Sequence, residues 1–280
     1  MTTKFKLLTL FLLICAYAPS AAIASSPVDR PPGHIIRNTQ WDGKKVGILG
    51  DSMSDPGMPI TTSRFYNYLE QLLGISAYPY AISGFQWKDL MGKSAQMKQE
   101  HPDDLDAILI WAGTNDFNSS RPIGAFFNET IEEVNVNGRI EKRKKRTPIL
   151  DESTFAGSIN RLMSYLKSEY PEQQIIILTP IHRAFASFGD TNIQPSEEYA
   201  NGAGLFIDDY VHALKRAGEI WAVPVIDLYS ISGLYPLYKS HDRYIANPDT
   251  DRLHPNDNGH YRIARTLQFQ LADYPSTFKP

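Results

Sequence analysis

The chain of 280 residues has one cysteine, Cys15, and it lies in a segment expected to be lost. Lys4 and Lys6 start that segment, Leu7 to Ala18 form an apolar stretch too short to span a bilayer comfortably, and Ala22-Ile23-Ala24 is a small-x-small cleavage site. These are the parts of a secretory leader over residues 1–24. Removing residues 1–24 leaves 256 of the 280 and takes the only thiol with them. Cysteine catalysis and disulfide staples are then both excluded, and stability has to come from a core. About 256 residues suffice for one large domain. The mature chain also lacks a second apolar run, so no transmembrane segment is expected in it, and export to a periplasm or to the medium is. Positive charge is not in surplus: 28 Lys and Arg stand against 31 Asp and Glu, a formal charge of −3 that becomes −5 without Lys4 and Lys6. That balance argues against nucleic acid as a partner. There is no internal repeat and no low-complexity tract.

What is present is an alternation of short apolar runs with longer helical patterns. Residues 25–40, with Pro27, Pro31, Pro32 and Gly33, read as an extended lead-in. Residues 41–280 read as one domain. Strands are expected at Lys45 to Leu49 ending on Gly50, Ala77 to Ile82, Ala107 to Ala112, Ile175 to Leu178 and Val223 to Ile226, the last clear one. Helices are expected at Ser63 to Leu73, Trp87 to Lys98, Thr154 to Tyr170, Glu197 to Ala217 and Asn258 to Leu271. Strands that are continuously apolar and separated by helices belong to a parallel sheet covered on both faces, an α/β fold. Ligands of such sheets bind beyond the C-terminal strand ends.

The connection from Phe117 to Ser153 is long for such a domain. It contains a hairpin insert at 130–147 around Asn137-Gly138. A two-residue turn would place Val136 opposite Arg139. A three-residue loop would pair Val136 with Ile140, and the apolar match favours this second register. The insert is either a lid or substrate wall over the site, or a solvated ribbon. Its run Lys142-Arg143-Lys144-Lys145-Arg146 either meets an anionic polymer or protects a strand edge by charge.

Polar motifs fall at the expected strand ends. Ser52 follows Gly50-Asp51 after the first strand, Gly84 follows the second, and Gly113-Thr114-Asn115-Asp116 follows the third. Asp251-Arg252-Leu253-His254 lies near the C-terminus. A serine hydroxyl needs a base to become a nucleophile. His254 can supply it, with Asp251 three residues earlier to hold the imidazole if the segment turns. The oxyanion of an acyl-transfer intermediate needs preset donors. The N–H groups of Ser52 and Gly84 and the Asn115 side-chain amide offer three. His182, after Thr179-Pro180, competes as base, but it has no carboxylate nearby in sequence. It reads instead as a pocket-lining residue with Arg183. Phe85, Trp87 and Phe117 follow motif residues and are expected to form a platform for a sugar ring or a wall for an acyl group. Asp251, His254 and His260 lack further ligands of suitable spacing, so no metal is expected, and no cofactor.

Gly-Asp-Ser, Gly84, Gly-Thr-Asn-Asp and Asp-x-x-His-Pro-Asn, in this order, resemble the SGNH (GDSL-type) hydrolase superfamily over about Lys45 to Ala272. Met53 stands where that family often has leucine, and no asparagine lies two residues before Gly84. The resemblance implies a flavodoxin-like three-layer α/β/α sandwich and a Ser52-His254-Asp251 triad with an oxyanion hole from Ser52, Gly84 and Asn115. It also implies a serine esterase. An acetyl ester on a carbohydrate is the favoured substrate, and a lipase or lysophospholipase is the alternative. The same residues would also serve acyl transfer to a sugar.

Overall fold

A computed structural model describes residues 39–280. The leader, and the lead-in as far as residue 38, lie outside the described residues. The chain runs β1 (Lys45–Gly50), α1 (Phe65–Leu73), β2 (Ser76–Ala81), α2 (Leu90–Glu100), β3 (Ala107–Trp111) and α3 (Thr114–Asn118). It continues through β4 (Phe127–Val136), β5 (Arg139–Pro148), α4 (Phe155–Glu169), β6 (Gln174–Leu178), β7 (Ala186–Ser187) and β8 (Ile193–Gln194). Then come α5 (Ile207–Trp221), β9 (Val225–Ile226), α6 (Leu228–Ile231), β10 (Ile245–Asn247), β11 (Asp251–Pro255) and α7 (Asp257–Ala272).

Five parallel strands form the central sheet in the order β2-β1-β3-β6-β9. Val46, Ile48 and Leu49 of β1 and every residue of β3 are buried, as both faces of the sheet are covered. On one face Ile108 and Ile110 pack with Leu90, Met97, Ile159, Leu162 and Leu214 from α2, α4 and α5. On the other face the Trp111 ring meets Phe65 of α1 edge-on at 5.1 Å, and α1 packs on α7. The result is a three-layer α/β/α sandwich. The strand order reverses between β1 and β3, which opens a crevice at their C-terminal ends.

Gly50 closes β1 at a point where no side chain fits. A Cβ there would lie 2.8 Å from the Trp111 carbonyl oxygen and 2.8 Å from Ser54 Oγ. This close approach turns the chain sharply toward Ser52.

Several elements differ from the sequence-based expectation. The helix expected from Glu197 starts at Ile207. Asn201 Oδ1 accepts the N–H groups of Ala203 and Leu205, and Gly204 takes φ +75, so the preceding segment is a closed loop. The helix expected from Trp87 begins as a 3₁₀ turn at Trp87–Asp89. Val225–Ile226 is not the last strand, because β10 and β11 follow. They join β7 and β8 in a second, four-stranded sheet of order β10-β11-β7-β8. Strands this short carry no readable period.

The insert forms the two-residue register, with Val136 opposite Arg139 and not Ile140. Asn137 and Gly138 have φ +52 and +83, the geometry that Asn-Gly favours in tight hairpins. Pairing Val136 with Ile140 would gain little, because the ribbon is solvated on both faces and Ile140 is 64% exposed. The observed register also sets Glu129, Glu132 and Glu133 opposite Arg146, Arg143 and Lys142. None of these residues lines the crevice at Ser52. The basic run is met largely by the ribbon's own Glu129, Glu132 and Glu141.

Candidate active site

β1 and β11 bring the distant motifs together. Ser52 Oγ lies 2.9 Å from His254 Nε2, and His254 Nδ1 lies 2.8 Å from Asp251 Oδ2. All three side chains are buried. The segment around His254 is a strand, where the sequence suggested a turn. It still folds back locally, because Asp251 Oδ1 accepts the N–H groups of Leu253 and His254, each at 3.1 Å. That pair of bonds brings residues three apart in a strand into contact. Asn256 then caps α7 by accepting the Gly259 N–H.

The backbone around Ser52 and Gly84 leaves two donors free. Asp51 N–H donates to Trp111, Met53 N–H to the Asp51 carboxylate and Ser54 N–H to the Asp51 carbonyl. Ile82 N–H donates to Gly50, Ser83 N–H to Asp55 Oδ2 and Phe85 N–H to Ile82. Between these, the N–H groups of Ser52 and Gly84 have no acceptor among the described residues. Gly84 has φ +86, a conformation that favours glycine. Asn115 Nδ2 donates to the Phe85 carbonyl at 3.0 Å, which orients the amide and leaves its second hydrogen unused. The arrangement sets a serine hydroxyl beside an imidazole, a carboxylate on the far side of that imidazole, and three N–H donors nearby with a hydrogen to spare, the parts that serine-based acyl transfer requires.

Ser52 and His254 open on a cleft of about 280 Å³, lined also by Met58, Ser83, Gly84, Asn115, Phe188, Asn192, Gln194 and Leu253. The residues expected to line it from their sequence neighbourhood do not. Trp87 and Phe117 are buried in the core, with Trp87 Nε1 donating to the Ala112 carbonyl and Phe117 packing on Tyr210. Phe85 packs its ring against the same core and serves Asn115 through its carbonyl. His182 does have a carboxylate partner, in space and not in sequence: Glu197 Oε1 is 2.5 Å from its Nδ1, and its ring stacks on Tyr229 at 3.8 Å. Arg183 is fully buried behind the site. Its guanidinium donates to Thr114 Oγ1 and Gln194 Oε1. Burial pulls it down to about 10, opposed by the negative charges of Glu197, Asp251 and Asp51.

Sequence reading missed Met58, Phe188, Asn192, Gln194 and Leu253. Three of these lie on the β7–β8 hairpin, which has no motif or period. It also missed two braces. Asp55 accepts the N–H and hydroxyl of Ser83, tying the Ser52 loop to the Gly84 turn. Asp257 accepts hydrogen bonds from Thr61, Thr62 and Ser63, tying that loop to the helix after His254. Among the described residues no three His, Cys, Asp or Glu side chains converge on a metal position. Nor is any described helix long and apolar enough to cross a membrane.

Two buried aspartates brace the turns. Burial pushes Asp51 up to about 7, against the Met53 N–H and Arg183. Burial pushes Asp116 up to about 8, against the Trp87 N–H and Arg121. A carboxyl whose folded pKa is raised favours folding fully below its unfolded value. That contribution is lost as pH rises through the folded value. We therefore predict that the advantage of parent over Asp116→Asn in unfolding free energy shrinks or reverses between about pH 4 and 8. Urea unfolding of both proteins across that range checks it. A constant difference would show that Asp116 stays ionised when folded.

Residues 48–262 match the model of the GDSL-like lipase/acylhydrolase family. A protein of known structure from Lactobacillus plantarum is 25% identical, with a TM-score of 0.64 over 83% of this chain and 98% of that one. A possible lipase from Chitinophaga pinensis is 18% identical, with a TM-score of 0.57 over 82% and 98%. A lipase/acylhydrolase from Enterococcus faecalis is 16% identical, with a TM-score of 0.51 over 83% and 98%. The last two likenesses are of fold. No curated protein matches the chain significantly.

Proposed function

Because the chain belongs to the GDSL-like lipase/acylhydrolase family, we propose that it is an exported serine esterase in which Ser52, His254 and Asp251 do the chemistry. The observation that carries this reading is the continuous contact from Ser52 Oγ through His254 to Asp251, at 2.9 and 2.8 Å. Ser52 Oγ attacks the ester carbonyl carbon as its proton passes to His254 Nε2. The carbonyl oxygen becomes an oxyanion facing the Ser52 and Gly84 N–H groups and the free Asn115 hydrogen. Each such donor contributes roughly 3 kcal/mol in the transition state. Collapse breaks the C–O bond, and the alcohol leaves with the proton from His254. Water then repeats the sequence on the acyl-Ser52 ester, releasing the acid and restoring the hydroxyl. Asp251 holds the imidazole in the tautomer that presents a bare Nε2 to Ser52, and it stabilises the imidazolium. No cofactor enters these steps.

The substrate we propose is a short acyl ester, acetyl foremost, on a carbohydrate. A cleft of about 280 Å³ suits a short acyl group and one alcohol unit, and Met58, Phe188 and Leu253 are the apolar side chains among those that line it. The leader at residues 1–24 supports export to where glycans are met. Hydrolysis of p-nitrophenyl esters from acetate to long-chain acyl is expected to peak at acetate and to fall at least tenfold by eight carbons. A long-chain optimum would move the assignment to lipids.

A further inference from the structure

Phe188, Asn192 and Gln194 of the β7–β8 hairpin form one part of the cleft wall, and its two amides are wired to a buried cation. Arg183 can only donate hydrogen bonds. Its Nη2 donates to Gln194 Oε1 at 2.7 Å, so the Gln194 oxygen must face inward. Gln194 Nε2 is thereby turned toward Asn192, whose Oδ1 accepts at 3.0 Å. Asn192 is thus left with its NH₂ group as the free end of the chain, and it lines the cleft with Gln194. That NH₂ has no acceptor among the described residues. The Asn192 backbone is held as well: its N–H donates to Gly189 and its carbonyl accepts from Phe188. An asparagine amide on a surface loop ordinarily flips to suit its partner. Here a donor-only guanidinium two links away fixes which end faces the substrate.

A second cleft group is fixed in the opposite sense. Ser83 Oγ donates its hydrogen to Asp55 Oδ2 at 2.7 Å, so only its lone pairs remain for a ligand. Asp55 is held in turn by the Ser83 and Gly57 N–H groups. The cleft beside Ser52 therefore offers one preset donor and one preset acceptor outside the oxyanion position.

We propose that Asn192, positioned by Gln194 and Arg183, selects the alcohol half of the substrate by donating to one of its oxygens, with Ser83 accepting from a hydroxyl. The chemical class that satisfies both is a polyhydroxylated alcohol, a sugar ester. The alkyl alcohol of a simple ester or lipid analogue satisfies neither. A polar cleft group left without its partner costs binding, so discrimination arises from both sides. This inference rests on the esterase reading and adds which part of the substrate is recognised and by which residue.

The test compares two acetates of primary alcohols: methyl glucoside monoacetylated at its primary hydroxyl, and hexyl acetate. The quantity read is the ratio of their kcat/KM values in the parent, Asn192→Ala and Asn192→Asp. The parent is expected to favour the sugar ester. Losing one hydrogen bond lowers the ratio by about tenfold in Asn192→Ala. Asn192→Asp keeps an acceptor for Gln194 but has no hydrogen to donate, so its ratio should fall at least as far. The loss should appear mainly in KM. An unchanged ratio in both variants, or a parent that prefers hexyl acetate, overturns the proposal while Ser52-dependent hydrolysis leaves the esterase reading standing. Hydrolysis of neither acetate by the parent would end both.

Discussion

Replacing Ser52 with alanine should lower ester turnover by on the order of 10⁶, to the level left by binding and the oxyanion donors alone. The size of the effect follows from the geometry. Without Oγ, the hydroxyl 2.9 Å from His254 Nε2 is gone, and no covalent acyl-enzyme can form on this residue. Among the described residues that line the cleft, Ser83 has the other hydroxyl. The nearby hydroxyl of Ser83 donates to Asp55 and has no imidazole beside it. The variant should fold as the parent does, because the serine side chain makes no other hydrogen bond among the described residues. Its unfolding midpoint should be unchanged, with a stability difference within about 1 kcal/mol. Steady-state kinetics on p-nitrophenyl acetate, read beside urea unfolding, separates loss of chemistry from loss of fold. Activity within tenfold of the parent would remove Ser52 from the mechanism.

The second large effect is expected at Asp251. Changing it to asparagine retains an oxygen that can accept the Leu253 and His254 N–H groups, so the local fold of β11 should survive. What changes is the group facing His254 Nδ1. An amide NH₂ donates where the carboxylate accepted, so the imidazole carries its proton on Nε2 and presents it to Ser52. A base in that tautomer cannot take the serine proton, and the negative charge that stabilised the imidazolium is gone. A fall of about 10⁴ in kcat with little change in KM is expected. Asp251→Ala should be similarly inactive and less stable, since it also loses both backbone contacts. An asparagine variant with nearly full activity would mean that the carboxylate does not control the tautomer.

The parts of this fold that were legible in sequence are those buried on both faces. β1, β3 and β6 are short apolar runs because helices cover each side, and their ends are marked by Gly50, Gly113 and Pro180. The groups that converge beyond those ends, Ser52, Gly84 and Asn115, could be placed for the same reason: a parallel sheet sends its strand ends to one edge. His254 and Asp251 were legible as a spaced pair, but not as a strand. β11 is held by Asp251's own backbone contacts and by neighbours from elsewhere in the chain, which leave no local period. The hairpin register went the other way from the apolar match, because pairing Val136 with Ile140 counts only where water is excluded, and turn geometry wins on a solvated ribbon. Aromatic residues beside motifs misled for a related reason. Phe85, Trp87 and Phe117 look the same in sequence whether they face a substrate or the core, and the helices packed on the sheet draw them inward. Phe188, Asn192 and Gln194, which do line the cleft, belong to a hairpin of two-residue strands and its turn. The contact of Arg183 with Gln194, eleven residues along the chain, sets the Gln194 amide and through it that of Asn192.

Acylation of Ser52 can be tested most directly by covalent trapping. The purified protein would be treated with diethyl p-nitrophenyl phosphate and followed by intact mass and peptide mapping, alongside Ser52→Ala and His254→Ala. One diethylphosphoryl group per chain is expected, on Ser52, accumulating in step with the loss of esterase activity. Ser52→Ala should form no adduct, and His254→Ala should form one much more slowly. Full inactivation with the label on another residue, or esterase activity that survives complete labelling of Ser52, would contradict a Ser52 mechanism.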